Sequence, residues 1–206
     1  MRPTTRSAVA AVGMAASLCV AGLGTAAESQ ADPSIAPADL DGLVVSFDDI
    51  KAISGGGYLN SAVSQQPIAA PSADPGGPCE LALRTEGDPS VFGTGFTAFR
   101  YVDTTGSNIY LRQAIGVYPD PDKARDAYDQ FDDGLKACAM TRTGTVAIAS
   151  LKPSSVTWLE PGDRPCAEAA RVVKNVFFRV GSCRQEPAAA VMAVADQISA
   201  RINAKA

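Results

Sequence analysis

Residues 96–118, FTAFRYVDTTGSNIYLRQAIGVY, decide the fold. Residues 96–103 and 108–118 each alternate with a period of two, and Thr104-Thr105-Gly106-Ser107 between them is a turn cluster of hairpin length. In the second strand Ile109, Leu111, Ile115 and Val117 share one face with Gln113, while Tyr110, Arg112, Ala114, Gly116 and Tyr118 share the other. Gln113 is therefore an amide among aliphatics. Two readings follow from that position: a buried side chain satisfied by backbone groups, or a hydrogen bond to a ligand in a cavity.

Downstream of the hairpin, Asp120-Pro121-Asp122 predicts a helix, with Asp120 as N-cap and Pro121 in its first turn. Ala124, Ala127, Tyr128, Phe131 and Leu135 form its apolar stripe, which Cys138 ends. The aspartates along the same helix lack the spacing of a calcium loop and read as its solvated face. Residues 145–151 and 155–160, around Lys152-Pro153-Ser154, are short strands that include the only tryptophan, Trp158. Residues 186–202 form a last helix opened by Pro187, with Val191, Val194, Ala195, Ile198 and Ile202 on one side.

Upstream, residues 39–53 hold a short helix capped by Ser46, with Ile50 and Ile53 on its apolar side. Gly55-Gly56-Gly57 ends that helix and lacks the Lys and following helix of a phosphate loop. Residues 60–78, rich in Pro, Ala, Ser and Gly without periodicity, read as a flexible loop. Hairpin pairing with helices laid on one side of the sheet gives an α+β fold in a single domain. No βαβ repeat or dinucleotide fingerprint competes with it.

The compartment is set by the first residues. Arg2 and Arg6 precede an uncharged apolar stretch over residues 8–23, and small-residue frames ending at Ala27 or Ala31 follow, so residues 1–31 read as a signal peptide and 32–206 as the mature domain. The stretch is too short to span a bilayer and nothing later supplies a transmembrane segment. Leu18 before Cys19 is the wrong frame for lipidation, so Cys19 leaves with the signal. Cleavage takes Lys plus Arg from 18 to 16 and Asp plus Glu from 22 to 21, for a mature charge of about −5. A mildly acidic chain without a basic tract is unsuited to nucleic acid. The absence of His removes Ser-His-Asp and Cys-His catalysis and His-containing zinc sites. Four cysteines remain, Cys79, Cys138, Cys166 and Cys183, an even set that in an exported domain predicts two disulfides with three possible connectivities.

Residues 158–183, WLEPGDRPCAEAARVVKNVFFRVGSC, preceded by Cys79, Cys138, Gln113 and the amphipathic helix, resemble the PknH-type extracellular sensor domain. That family supplies the outer domain of a mycobacterial receptor Ser/Thr kinase and also occurs alone as exported proteins. The resemblance covers about residues 36–204 and implies an antiparallel sheet with flanking helices, two disulfides and a cleft for an unidentified ligand. It implies sequential pairing, Cys79 with Cys138 and Cys166 with Cys183. A hairpin about Lys174-Asn175, with Asn175 tolerating a left-handed turn, agrees by setting Cys166 opposite Cys183.

The function expected from these readings is a secreted or envelope-resident binding module without a kinase, holding a small molecule or cell-wall ligand. It is expected to be no enzyme and to need no cofactor or metal. The alternative is an envelope protein-interaction or structural module. Strand positions with charge or hydrogen-bonding capacity are the ligand candidates: Arg100, Tyr101, Arg112, Gln113 and Arg179.

Overall fold

The computed structural model describes residues 34–67, 79, 84–107, 109–141, 146–160, 162, 165–183 and 187–205. The signal segment and Cys19 lie outside the described residues, as does most of 68–83. A 3-10 turn over Pro37–Gly42 leads into α1 (Phe47–Ser54), where Ser46 accepts a hydrogen bond from the Asp49 amide and Gly55 closes the helix at φ 76°. Then follow β1 (Tyr58–Ser64), α2 (Pro89–Phe92), β2 (Ala98–Gly106), β3 (Ile109–Val117) and α3 (Pro121–Ala139). The chain continues with β4 (Ala147–Lys152), β5 (Ser155–Glu160), β6 (Cys166–Val173), β7 (Val176–Cys183) and α4 (Pro187–Ala204).

Among the described residues the strands form one antiparallel sheet in the order β1-β2-β3-β7-β6-β5-β4. Its middle strand β7 is buried along its whole length, because helices cover both faces of the sheet. This differs from the expectation of helices on one side. On one face α1, α4 and the 3-10 turn pack on Leu111, Ile115, Phe178, Val180 and Ala169. On the other, α2 and α3 pack on Phe99, Ala114, Phe177, Trp158 and Ala170. The apolar stripe of α3 is too broad to be left in water, and α4 already occupies the first face. At about 1.5–3 kcal/mol for each fully buried large side chain, the second core is as necessary as the first.

Two further readings are corrected. Residues 60–64, assigned to the flexible loop, belong to edge strand β1, which lacks a strong alternating pattern because side chains on both of its faces meet water. In the β6–β7 hairpin the left-handed residue is Lys174, at φ 54°, and not Asn175. Asn175 is buried and works through its side chain. Its amide accepts from the Ile35 N–H at 2.7 Å and donates to the carbonyls of Ile35 and Tyr118 at 2.9 and 2.8 Å. Cys79 is bonded to Cys138 and Cys166 to Cys183, the first tying the segment before α2 to the end of α3.

Candidate functional site

Strand register assembles an ionic patch on the sheet face that α3 covers. One row across the sheet runs Asp103, Arg112, Gly181, Glu168, Trp158. The rows on either side contribute Tyr101 with Arg179, and Tyr110 with Glu160. Gly181 leaves a gap in the middle row, and the carboxylate of Glu86, carried by the turn before α2, fills it. Glu86 is 1% exposed, and neither of its oxygens accepts a hydrogen bond among the described residues. It pairs with Arg112 at 3.7 Å.

Arg179 is wholly buried. It donates to Glu168 at 2.6 Å and to the Arg84 carbonyl at 3.3 Å, and its guanidinium lies over the rings of Phe131 and Trp158. Arg112 stacks on Tyr110 and sits 3.3 Å from Asp103. Burial pushes the Glu168 carboxyl well above the ordinary carboxylate range; Arg179 opposes this, while the negative Glu86 and Glu160 reinforce it. Glu160 is raised as well, by burial first and by the negative Glu86, with Arg179 opposing. Burial also raises the Tyr101 and Tyr110 phenols. Burial works against the Arg112 charge, and the carboxylates of Glu86 and Asp103 outweigh it.

Of the five nominated residues, Tyr101, Arg112 and Arg179 share this face. Arg100 and Gln113 project to the opposite one. Arg100 pairs with Asp41 and borders a recess of about 280 Å³ that Gln65, Gln66 and Phe96 also line. The Gln113 amide is held by one backbone residue, accepting from the Val45 N–H at 2.9 Å and donating to the Val45 carbonyl at 2.8 Å. Sequence reading missed Glu86, Glu160 and Glu168. The available signal was Glu168, a lone carboxylate in the otherwise apolar alternation of β6.

A second polar region is open to solvent. α4 lies over β6 and β7, and a helix about 10 Å wide covers only two strands spaced about 4.8 Å apart, so β5 and β4 stay bare on that face. The step between helix and sheet is a groove of about 440 Å³. Ser150, Lys152, Ser155 and Thr157 form its floor, and Asp196 and Ser199 of α4 form its wall. Arg171 bridges floor and wall, 2.7 Å from Asp196 and 3.2 Å from the Ser199 hydroxyl. None of the five nominated residues lines it. Among the described residues no group of three or more Cys, Asp or Glu could hold a metal ion.

A profile of the PknH-like extracellular domain matches residues 35–201. The chain is 25% identical over 191 residues to the serine/threonine-protein kinase PknH of Mycobacterium bovis, covering 82% of this chain and 31% of that protein. It is equally similar to PknH of Mycobacterium tuberculosis, of which it covers 29%. The chain thus spans about a third of the length of these curated relatives. The crystal structure of the extracellular domain of PknH from Mycobacterium tuberculosis has the same fold, with a TM-score of 0.69 at 22% identity over 84% of this chain and 98% of that one.

Proposed function

Because the chain belongs to the PknH-like extracellular domain family, we propose that it is an extracytoplasmic sensor-type module that binds a small polar molecule or cell-wall fragment, and not a catalyst. The observation that carries this reading is the groove beside α4. Hydroxyls of Ser150, Ser155 and Thr157 on the strands, Ser199 on α4 and Ser154 in the β4–β5 turn line it with Lys152, Arg171 and Asp196. Positions fixed by a sheet ladder are preorganised, so little ordering entropy opposes binding. Of the nominated residues, Tyr101, Arg112 and Arg179 then serve the buried patch that braces the other face, and Gln113 holds Val45.

In this reading the chain is exported and processed near Asp32, and it acts in the envelope or medium. Native mass spectrometry of the protein exported by its producing cells tests the binding claim. A ligand mass retained by the natural chain and lost in Lys152→Glu is the expected result; equal retention in both places the ligand elsewhere.

The interaction-module alternative has one observation in its favour. Edge strand β1 carries no charged residue and exposes Leu59 at 75% and Val63 at 64%. Uncharged apolar edges of this kind pair with other chains. Concentration-dependent dimerisation abolished by Val63→Lys, with no ligand mass on the exported protein, would favour it.

A further inference from the structure

The groove beside α4 offers more hydrogen-bond donors than acceptors, and strand register sets them in two rows. Lys152 of β4, Ser155 of β5 and Arg171 of β6 lie side by side in one row, with Ser150 and Thr157 in the next. Residues directly opposite each other across a ladder share a face, so the two cations flank the Ser155 hydroxyl with their backbones about 10 Å apart. The Arg171 Nη1 is engaged, 2.7 Å from Asp196 and 3.2 Å from the Ser199 hydroxyl, whereas its Nη2 meets the Met192 sulfur at 3.9 Å. The Thr157 hydroxyl donates to the same sulfur at 3.5 Å. A thioether is a weak acceptor, so both donors stay available to a stronger one. Lys152 makes no ion pair among the described residues, and Asp196, the carboxylate in the wall, is already bound to Arg171. Among the described residues no aromatic ring lines the groove, so a neutral sugar finds no surface to stack on.

We propose that the groove takes its ligand by a phosphate monoester group, seated over Ser155 between Lys152 and Arg171. This rests on the groove being the binding site and names the chemistry that the site selects. Lys152 and the Arg171 Nη2 offset the negative charge, and the Ser155 and Thr157 hydroxyls donate to the remaining lone pairs. Hydrogen bonds from charged donors to phosphate are among the strong ones. Four donors in one cluster match the three terminal oxygens of a phosphate, each able to accept more than one bond, better than the two oxygens of a planar carboxylate. The volume of about 440 Å³ exceeds what a phosphate fills, so the rest of the ligand lies along Ser150 and Asp196, whose oxygens accept from its hydroxyls. The chain is acidic as a whole, and this local pair of cations, not the net charge, draws the anion.

Amide chemical-shift titration of the full folded chain tests it, with N-acetylglucosamine 1-phosphate, N-acetylmuramic acid and N-acetylglucosamine as probes. The three share a sugar ring and carry a phosphate, a carboxylate or neither. The phosphate sugar should give saturable shifts in β4, β5, Arg171 and the facing side of α4, with a Kd about tenfold or more below that of the other two. Inorganic phosphate should shift the same amides more weakly, since nothing in it reaches Ser150 and Asp196; equal affinity would assign the groove to the free ion and overturn the ester. Lys152→Gln should weaken the phosphate sugar about tenfold and Thr157→Val about threefold or more, while Arg100→Gln, at a cation outside the groove, should leave it unchanged. The neutral or the carboxylate sugar bound in the groove as tightly as the phosphate sugar would overturn the phosphate assignment and leave the groove as the binding site. Groove shifts from none of the probes would overturn both.

Discussion

Glu86 and Gly181 share one space: the carboxylate from the turn before α2 lies where any Cβ at position 181 would stand. Gly181→Ala should therefore destabilise the domain by about 1–3 kcal/mol through overpacking. Glu86→Ala added to it should restore part of the loss, because the methyl group then has room. Urea unfolding of the two single variants and the double variant measures the coupling, and strictly additive losses would show that the two positions do not compete.

Gln113 is a structural amide. Gln113→Leu leaves the buried Val45 N–H and carbonyl without their partners and should cost about 2 kcal/mol, within the range for orphaned buried polar groups. The groove, on a different part of the sheet, should bind as before. A Gln113→Leu chain of unchanged stability would mean that the two bonds to Val45 contribute nothing net.

Much of this fold is written locally in the chain. The caps at Ser46 and Asp120, the apolar stripes of α3 and α4 and the period-two strands of residues 96–118 act over a few residues, and the sequence displays them directly. Strand β1 is different. Tyr58–Ser64 pairs with β2 across the sheet edge and leaves Leu59 and Val63 in solvent, so its pattern carries little of its burial. The ionic patch is less visible still. Glu86 reaches Arg112 and Gly181 only through strand register and the Cys79–Cys138 tether, and no spacing in the sequence announces that meeting. Gln113 was visible as a polar intruder in an apolar face, but choosing between its two roles required seeing Val45.

The two disulfides should differ in effect. In the chain-entropy picture the 17-residue separation of Cys166 and Cys183 contributes about 3 kcal/mol and the 59-residue separation of Cys79 and Cys138 about 4 kcal/mol. Paired Cys→Ser replacement should show the larger loss for Cys79 and Cys138 in urea unfolding. Non-reducing peptide mapping should recover only the sequential pairs, and a Cys138–Cys166 peptide as the main species would contradict the β6–β7 register.

Global stability should fall as pH rises above the ordinary carboxylate range. Glu160 and Glu168 both bind protons more tightly in the folded chain than in the unfolded one, where carboxyls titrate at about 4.3. Their contribution is complete below that value and is lost as pH climbs through the raised folded-state values. Thermal unfolding should accordingly occur at lower temperature at about pH 8 than at about pH 5, and Glu168→Gln should flatten the slope. A natural chain that gains stability over that interval would contradict the assignment.

The groove bounded by Ser150, Lys152, Thr157, Arg171 and Asp196 carries the functional reading, and amide chemical-shift mapping with soluble cell-wall fragments as the probe tests it most directly. The account predicts saturable shifts confined to β4, β5, β6 and the facing side of α4, abolished by Lys152→Glu in a chain of unchanged fold. Saturable shifts centred on β1, or none from any fragment, would contradict it.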